Sequence, residues 1–486
     1  MTEGLILLGQ NKEIAGRGIT GPRLRTAAAR AGFDVFVTDI SPFLSKDQIF
    51  TIIDMFVQRG IKFLGLSTTW YTSAHVWPGY NCMTSEFFVE LRTRYPKLTV
   101  ITGGQQRYGV DSLSRYIDFH FQGFSDISFA EFLKYINGQP NSLKYNIVHG
   151  LKIIESNIHF QLNHPNDIAT VFEPGDNFLA HQPVPLELSR GCIFRCMFCR
   201  HPFQGKKDYD SYQRTPESIA VELKRNYDLF GTTRYTILDD TINDSMEKLQ
   251  RLQQALDLAK LPQFEFVGYI KGELLVTKPQ MIDLLADLGL RGAFIGIESL
   301  KNSTRKIIGK GTDIEKVKEA IFKLSQVKNK QVLVHGSFIV GLPEETPEDV
   351  YETYEFLVKH NKSFCRSWIF QNLLIFNDKD STSEKSGFDK NPEKFSYFFK
   401  DNSKMDWENQ FFTAQSARKL TDLLNKKSTV DHYYGGFRVA GAWHLDTPND
   451  QIQNQLVDPN FDQRLLALMQ ERTKIEYEKL ISSNKF

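Results

Sequence analysis

Twice along this chain, short apolar runs alternate with stretches of helical periodicity, and this repeat limits its possible folds more than any other feature. Over residues 1–140 the runs are GLILLG (4–9), DVFVTDI (34–40), KFLGLST (62–68), LTVITGG (98–104) and DFHFQG (118–123). Strands spaced by helices imply a parallel, doubly wound, Rossmann-like sheet. Its first helix is expected to take Thr20 as cap, with Pro22 near the first turn. Ligands of such sheets bind beyond the carboxyl ends of the strands. Gly103, Gly104 and the segment QGFSD (122–126) fall at two of those ends; the glycines would serve equally as plain tight turns.

Residues 141–182 are irregular and carry Asn, Pro and His, so they read as a connector with room for a hairpin. A second series starts at VPLELS (184–189). It continues through RYTILD (234–239), FEFVGYI (264–270), GAFIGIE (292–298), VLVHGSFIV (332–340) and RSWIFQNLLIF (366–376). Thr215-Pro216-Glu217 and Thr346-Pro347-Glu348 are helix starts, with an acid near the positive end of the dipole. Thr277 with Gln280 and Thr312 with Glu315 fit capping boxes. Ile219, Leu223, Tyr227 and Phe230 recur at helical spacing, and Gly231 ends that run. Six such units over 183–376 predict a partial, TIM-like (β/α)6 barrel with its site at the C-terminal ends of the strands. The alternation stops at 377. A polar loop and two helical stretches follow, near 405–427 and 461–482, so 377–486 reads as a C-terminal helical extension. Within it, RVAGAW (438–443) would line a pocket or pack as core. The expected fold class is therefore α/β throughout, ending in helices.

Charge narrows the partners. Lys and Arg number 59 against 58 Asp and Glu, which gives no electrostatic case for nucleic acid or a membrane surface. No run of about 18 uncharged apolar residues suggests a transmembrane helix. The opening MTEGLILLGQN reads as a strand, not a targeting segment. Five cysteines, an odd number with three clustered, do not suggest a disulfide framework, so a reducing cytoplasm is expected.

Those three lie in RGCIFRCMFCR (190–200), directly after the first barrel strand. Thiolates ligate zinc and iron–sulfur clusters. Structural zinc takes four ligands, normally in paired knuckles. Here Cys192, Cys196 and Cys199 stand without a second pair; Cys82 and Cys365 are isolated, and His201 would have to be the fourth ligand. A four-iron cluster on three thiolates instead keeps one iron open.

The pattern Cys-x3-Cys-x2-Cys, with Phe198 before the last cysteine, resembles the signature of the radical S-adenosylmethionine (SAM) superfamily. The resemblance implies a [4Fe–4S] cluster on Cys192, Cys196 and Cys199, with SAM chelating the open iron. In ILDDTIN (237–243), Asp239 and Asp240 would take the SAM ammonium group, which needs carboxylate or carbonyl acceptors. Glu298 and Ser299 of GIES would face the ribose or methionine moiety, and Gly341 in GSFIVGLPEET (336–346) would lie near the adenine. Lys271 would pair with the SAM carboxylate. Phe194, Met197 and Phe198 would shield the cluster. All these groups have bland alternatives in strand packing, helix capping and solvation. The implied chemistry is reductive cleavage of SAM, fed by a flavodoxin- or ferredoxin-type donor, to a 5′-deoxyadenosyl radical that abstracts hydrogen from a small-molecule or peptide substrate.

A doubly wound domain ahead of such a barrel resembles the cobalamin-binding class of that superfamily. The matching stretches are RLRTAAARAGFDVFVTDI (23–40), FLGLSTT (63–69), VITGGQQ (100–106) and FHFQGFSDISFAEFL (119–133), with Gly103 and Gly104 as cofactor-binding residues. One departure matters: the loop GQNKEIAGRG (9–18) lacks the Asp-x-His-x-x-Gly that supplies a cobalt ligand, and His75 has the wrong spacing. The resemblance thus implies either cobalamin without a histidine ligand or a domain kept as scaffold. Methyl transfer is the expected reaction with cobalamin; rearrangement, cyclisation or oxidation is the expectation without it. An inert metal-cluster protein is the competing class. Cys365, at the start of the sixth strand, would be a hydrogen-atom donor, an extra ligand or a buried packing residue.

Overall fold

The computed structural model describes residues 2–8, 16–40, 43–67, 85–104, 114–201, 203–206, 208–327, 332–361, 364–377, 385–400, 405–428 and 435–482. His75, Cys82 and most of the 9–18 loop lie outside them. The chain divides into two compact units, Met1–Phe172 with Gln463–Phe486, and Glu173–Asp462. No helix among the described residues is long and apolar enough to cross a membrane.

The first unit is built on seven strands: β1 (Thr2–Leu7), β2 (Asp34–Thr38), β3 (Phe63–Ser67), β4 (Thr99–Gly104), β5 (Phe119–Gln122), β6 (Asn146–Val148) and β7 (Leu151–Glu155). Their spatial order is β2-β1-β3-β4-β5-β7-β6, parallel except for the β6–β7 hairpin. Successive side chains of a strand point to opposite faces. Leu5, Leu7, Leu64 and Leu66 accordingly join Phe50, Ile53 and Phe88 on one face, while Ile6, Phe63 and Phe121 join Phe129 and Phe132 on the other. Strands buried on both faces read as continuous apolar runs, as these do. The hairpin falls in the stretch read as a connector. It extends the sheet because Leu151, Ile153 and Ile154 are buried on its faces.

The last helix, Phe461–Ser482, also contributes to this unit. Leu480 enters the core, Tyr477 packs against it, and Arg472 reaches Asp39 at 3.2 Å. Asp39 is buried and also pairs with Arg17 at 2.9 Å. Burial alone would raise its carboxyl, but Arg17 and Arg472 outweigh that and lower it.

In the second unit β8 (Val184–Leu186), β9 (Arg234–Ile237), β10 (Glu265–Ile270), β11 (Leu290–Glu298), β12 (Leu333–Val340) and β13 (Ser367–Asn372) pair in sequence order, all parallel. Thr215 and Thr346 cap the helices Pro216–Phe230 and Pro347–Lys359, and Gly231 ends the former at φ +68°. Three predicted caps fail. Thr20 is already helical, and Ile19 before it makes no side-chain cap. Thr277 ends a short helix, Gly272–Thr277, its hydroxyl turned back to Glu273. Asp313 takes the role expected of Thr312, accepting from the N–H groups of Glu315 and Lys316.

The extension works at both ends of the barrel. Helix Gly435–His444 buries Val439, Ala440, Ala442 and Trp443. Arg234 lies over Trp443 and Asn449 donates to Glu265 at 2.6 Å, and these two residues open β9 and β10. The helix therefore sits at the N-terminal ends of the strands. At the other end Trp407 donates to the carbonyl of Leu373, just past β13.

Candidate active site

The chain leaves β8 into the cysteine loop, which is folded back on itself by its own backbone. Cys192 N donates to Phe203 O at 3.0 Å, Lys206 N to Cys192 O at 3.1 Å, and Gly205 N to Phe194 O at 3.1 Å. Gln204 Nε2 donates to Cys199 O at 2.8 Å. Two distant segments clamp it: Met197 N donates to Ile308 O, and Phe388 N donates to Met197 O. The loop is therefore fixed before any ligand arrives.

The three thiols are half-buried, and each faces a different group. Cys192 Sγ is 3.8 Å from Thr241 Oγ1, Cys196 Sγ is 3.8 Å from Lys271 Nζ, and Cys199 Sγ accepts from His201 N at 3.4 Å. Burial pushes Cys199 up to about 11, and Cys196, Asp240 and Cys192 add to this against the His201 N–H. Burial raises Cys192 as well. The sulfurs are thus close enough to feel one another's charge. Metal binding would have to release their protons. Among the described residues no three His, Cys, Asp or Glu side chains converge as a single ion requires. A closed zinc site needs that convergence, whereas a four-iron cube takes each cysteine at a separate corner. His201, the possible fourth zinc ligand, instead meets Asp240, its Nε2 2.9 Å from Oδ2.

The two acids after β9 part company. Asp239 is buried under the loop, where it accepts from Leu188 N and Ser189 Oγ, each at 2.7 Å, and meets Lys248 Nζ at 2.6 Å. Its oxygens are committed to holding the loop's start. Asp240 is the more open of the two and stands beside Cys192 and Cys199.

At the end of β11 the register slips between Gly296 and Glu298, and Glu298 adopts φ +70°. A left-handed non-glycine residue at a bulge is a strained, re-aimed side chain. Its carboxyl folds over Gly296, where a Cβ would stand 2.3 Å from Oε1 and would push the Glu298 side chain aside. Lys310 donates to Gly296 O at 2.6 Å and lies 3.8 Å from Glu298 and 3.6 Å from Glu273. Glu273 also meets Arg305 at 2.6 Å and Lys271 at 3.6 Å. Burial pushes the Glu273 carboxyl up, but Lys310, Lys271 and Arg305 outweigh it and hold it at about 2. For Glu298 burial wins and the carboxyl is raised.

The remaining expected residues divide. Ser299 is buried and donates to Glu345 Oε1 at 2.5 Å, and burial pushes Glu345 up to about 8. Gly341, at φ +96°, lies against the Trp407 ring and gives its carbonyl to Tyr397 Oη at 2.7 Å, so packing already explains it. Phe198 is half-buried in the loop, and Phe194 carries Lys271 Nζ 4.2 Å from its ring centre. Cys365 is wholly buried before β13, at the opposite end of that strand from the loop. Gly103 and Gly104 end β4 in the first unit and pair with Phe121 and Gln122 of β5. Sequence reasoning missed Lys248, Glu273, Arg305, Lys310 and Glu345. The one local signal was Lys310 itself, a lysine between two glycines after a helix.

Residues 186–357 match the Radical SAM superfamily. The barrel is a radical SAM domain. Curated relatives include the ribosomal protein uS12 methylthiotransferase RimO of Nitratiruptor sp., 27% identical over 228 residues, 45% of this chain and 48% of the relative. Another is the cytidylyl-2-hydroxyethylphosphonate methyltransferase of Streptomyces wedmorensis, 26% identical over 179 residues, 35% of this chain and 32% of the relative. The chain thus spans about half or less of the length of these relatives. Among solved structures, the cobalamin-dependent SAM radical enzyme OxsB with aqua-cobalamin bound superposes with a TM-score of 0.58 at 14% identity, over 99% of this chain and 72% of that one. The radical SAM methyltransferase TsrM from Kitasatospora setae, with cobalamin and a [4Fe–4S] cluster, gives 0.55 at 17%, over 76% and 72%. At these identities the likeness is one of fold: an N-terminal parallel-sheet unit followed along the chain by a parallel barrel.

Proposed function

We propose that this protein is a radical SAM enzyme that carries a [4Fe–4S] cluster on Cys192, Cys196 and Cys199 and transfers a methyl group with the help of cobalamin. The supporting observation is the cysteine loop: three thiols pinned by backbone bonds at the carboxyl end of a parallel barrel, backed by the buried cations Lys271, Lys310 and Arg305. Such cations suit a cluster that gains negative charge on reduction.

The cluster and SAM together supply a carbon radical generated by one-electron reduction. The chain's own residues orient and protect. Asp240 offers a carboxylate for the SAM ammonium beside the thiols, while Asp239 ties down the loop through Leu188, Ser189 and Lys248. Lys271 would pair with the SAM carboxylate, Glu298 and Ser299 would face the ribose or methionine portion, and Gly341 would lie near the adenine. Phe194, Met197 and Phe198 exclude water and oxygen. A flavodoxin- or ferredoxin-type donor would deliver the electron, and the substrate would be a small molecule or a peptide.

For cobalamin, the supporting features lie at the carboxyl end of the first sheet. Gly103 and Gly104 leave a strip without side chains, and the partner of Gly104 is Gln122, whose Oε1 is buried without a hydrogen bond among the described residues. A strip of bare backbone beside an orphan acceptor fits a large ligand with amide donors. Binding would proceed without a histidine to the cobalt.

Oxygen-free protein, reconstituted with iron and sulfide and given dithionite and SAM, should release 5′-deoxyadenosine or S-adenosylhomocysteine. The triple Cys→Ala variant should release neither. Product from that variant would refute the ligand assignment.

A further inference from the structure

Resting on the cluster assignment above, we infer that Lys271 acts on the cluster itself, as an N–H···S donor to Cys196 that raises its reduction potential, with Glu273 holding the lysine in place. The geometry points there directly. Lys271 Nζ lies 3.8 Å from Cys196 Sγ, 3.6 Å from Glu273 Oε2 and 4.2 Å from the centre of the Phe194 ring. The lysine is 8% exposed, so its charge is poorly screened by water.

Glu273 is the hub. It lies in the first turn of the short helix after β10, two residues past Lys271, and its carboxylate meets Arg305 and Lys310 as well as Lys271. Arg305 is anchored in turn by the carbonyls of Ile297 and Ser299, and Lys310 by that of Gly296. Three cations thus surround two carboxylates, Glu273 and Glu298, and the surplus positive charge lies towards the thiols. Fixed charge and hydrogen bonds to sulfur are the means by which a protein sets a cluster potential. Placing a cation at the sulfur lowers the free energy of the reduced state more than that of the oxidised state. It also makes the Cys196 corner the most electron-poor of the three, because Cys192 faces a hydroxyl and Cys199 a backbone amide.

This role is separable from pairing with the SAM carboxylate, because it operates with SAM absent. The test is a dithionite-mediated redox titration of the reconstituted protein without SAM, followed by electron paramagnetic resonance. Lys271→Met should lower the reduced-to-oxidised ratio about tenfold at fixed potential, a downward shift of about 59 mV for a one-electron couple. Lys271→Arg should restore most of it. Identical midpoints for wild type and Lys271→Met, or no recovery in Lys271→Arg, would overturn the inference while leaving the cluster intact. A wild-type protein that binds no iron and sulfide would instead sink the cluster assignment and this inference with it.

Discussion

The two large sheets of this molecule differ in how much buried charge gathers at their carboxyl ends. At the carboxyl end of the barrel, half-buried thiols sit among Asp239, Lys248, Glu273, Arg305 and Lys310, nearly all ion-paired. At the carboxyl end of the first sheet buried charge is present too, Asp39 with Arg17 and Arg472 past β2 and Asp126 with Arg23 past β5, but the contacts between β4 and β5 are neutral. Thr102 bonds to His120 at 2.9 Å, Gln122 faces Gly104, and Ser128 meets Ser156 at 2.7 Å. Buried charge is costly unless paired, so a fold accumulates it only where chemistry or architecture uses it. On the proposed function, the first of these ends would serve electron transfer and the second would hold a ligand by shape and hydrogen bonds.

The contrast breaks first at the thiols. Cys196→Ser should abolish SAM cleavage and reduce bound iron, measured by product chromatography and metal analysis; full activity would erase the distinction between the two ends. The next largest effect is expected at Lys248. Lys248→Met strands Asp239 as a buried unpaired charge and should cost about 3–5 kcal/mol in urea unfolding followed in the barrel unit. An equivalent loss of charge in the first unit should cost less: Arg472→Ala leaves Asp39 paired with Arg17, for about 1 kcal/mol or under.

Glu345 sharpens the comparison through pH. Its folded value of about 8 lies above its usual 4.5, so the fold favours the neutral carboxyl. Its stabilising preference is complete below about pH 4.5 and is lost as pH rises to about 8. The upper bound is about 5 kcal/mol at 1.36 kcal/mol per unit. Glu345→Gln should flatten the barrel's thermal stability across that window, and an unchanged slope would mean that the carboxyl is not held neutral. The smallest expected stability change is beside β4. Gln122→Leu should leave unfolding within about 1 kcal/mol of wild type, since it removes an unbonded acceptor. It should nevertheless weaken cobalamin retention severalfold, measured by absorbance after gel filtration; unchanged retention would detach Gln122 from the ligand.

Most of the fold was legible because the parallel strands of both large sheets are buried, so β1–β5 and β8–β13 announced themselves as apolar runs, whereas β6 and β7 fell in the stretch read as a connector. The cysteine loop was legible because its spacing is covalent. What escaped was set by three-dimensional pairing. Asp239 and Asp240 are neighbours, but side chains alternate along a strand end, and only packing shows that one goes under the loop and the other stays open. Lys271, Glu273, Arg305 and Lys310 come from two separate barrel units, and strand pairing brings them together. The final helix has an apolar stripe that predicts a helix, but not that Arg472 would reach Asp39, 433 positions earlier.

Iron and acid-labile sulfide should be counted in oxygen-free protein, with its spectrum recorded after dithionite reduction and again with SAM added. The account predicts one [4Fe–4S] cluster per chain whose signal changes when SAM binds at the open iron. Zinc in place of iron, or a reduced cluster whose signal ignores SAM, would contradict it.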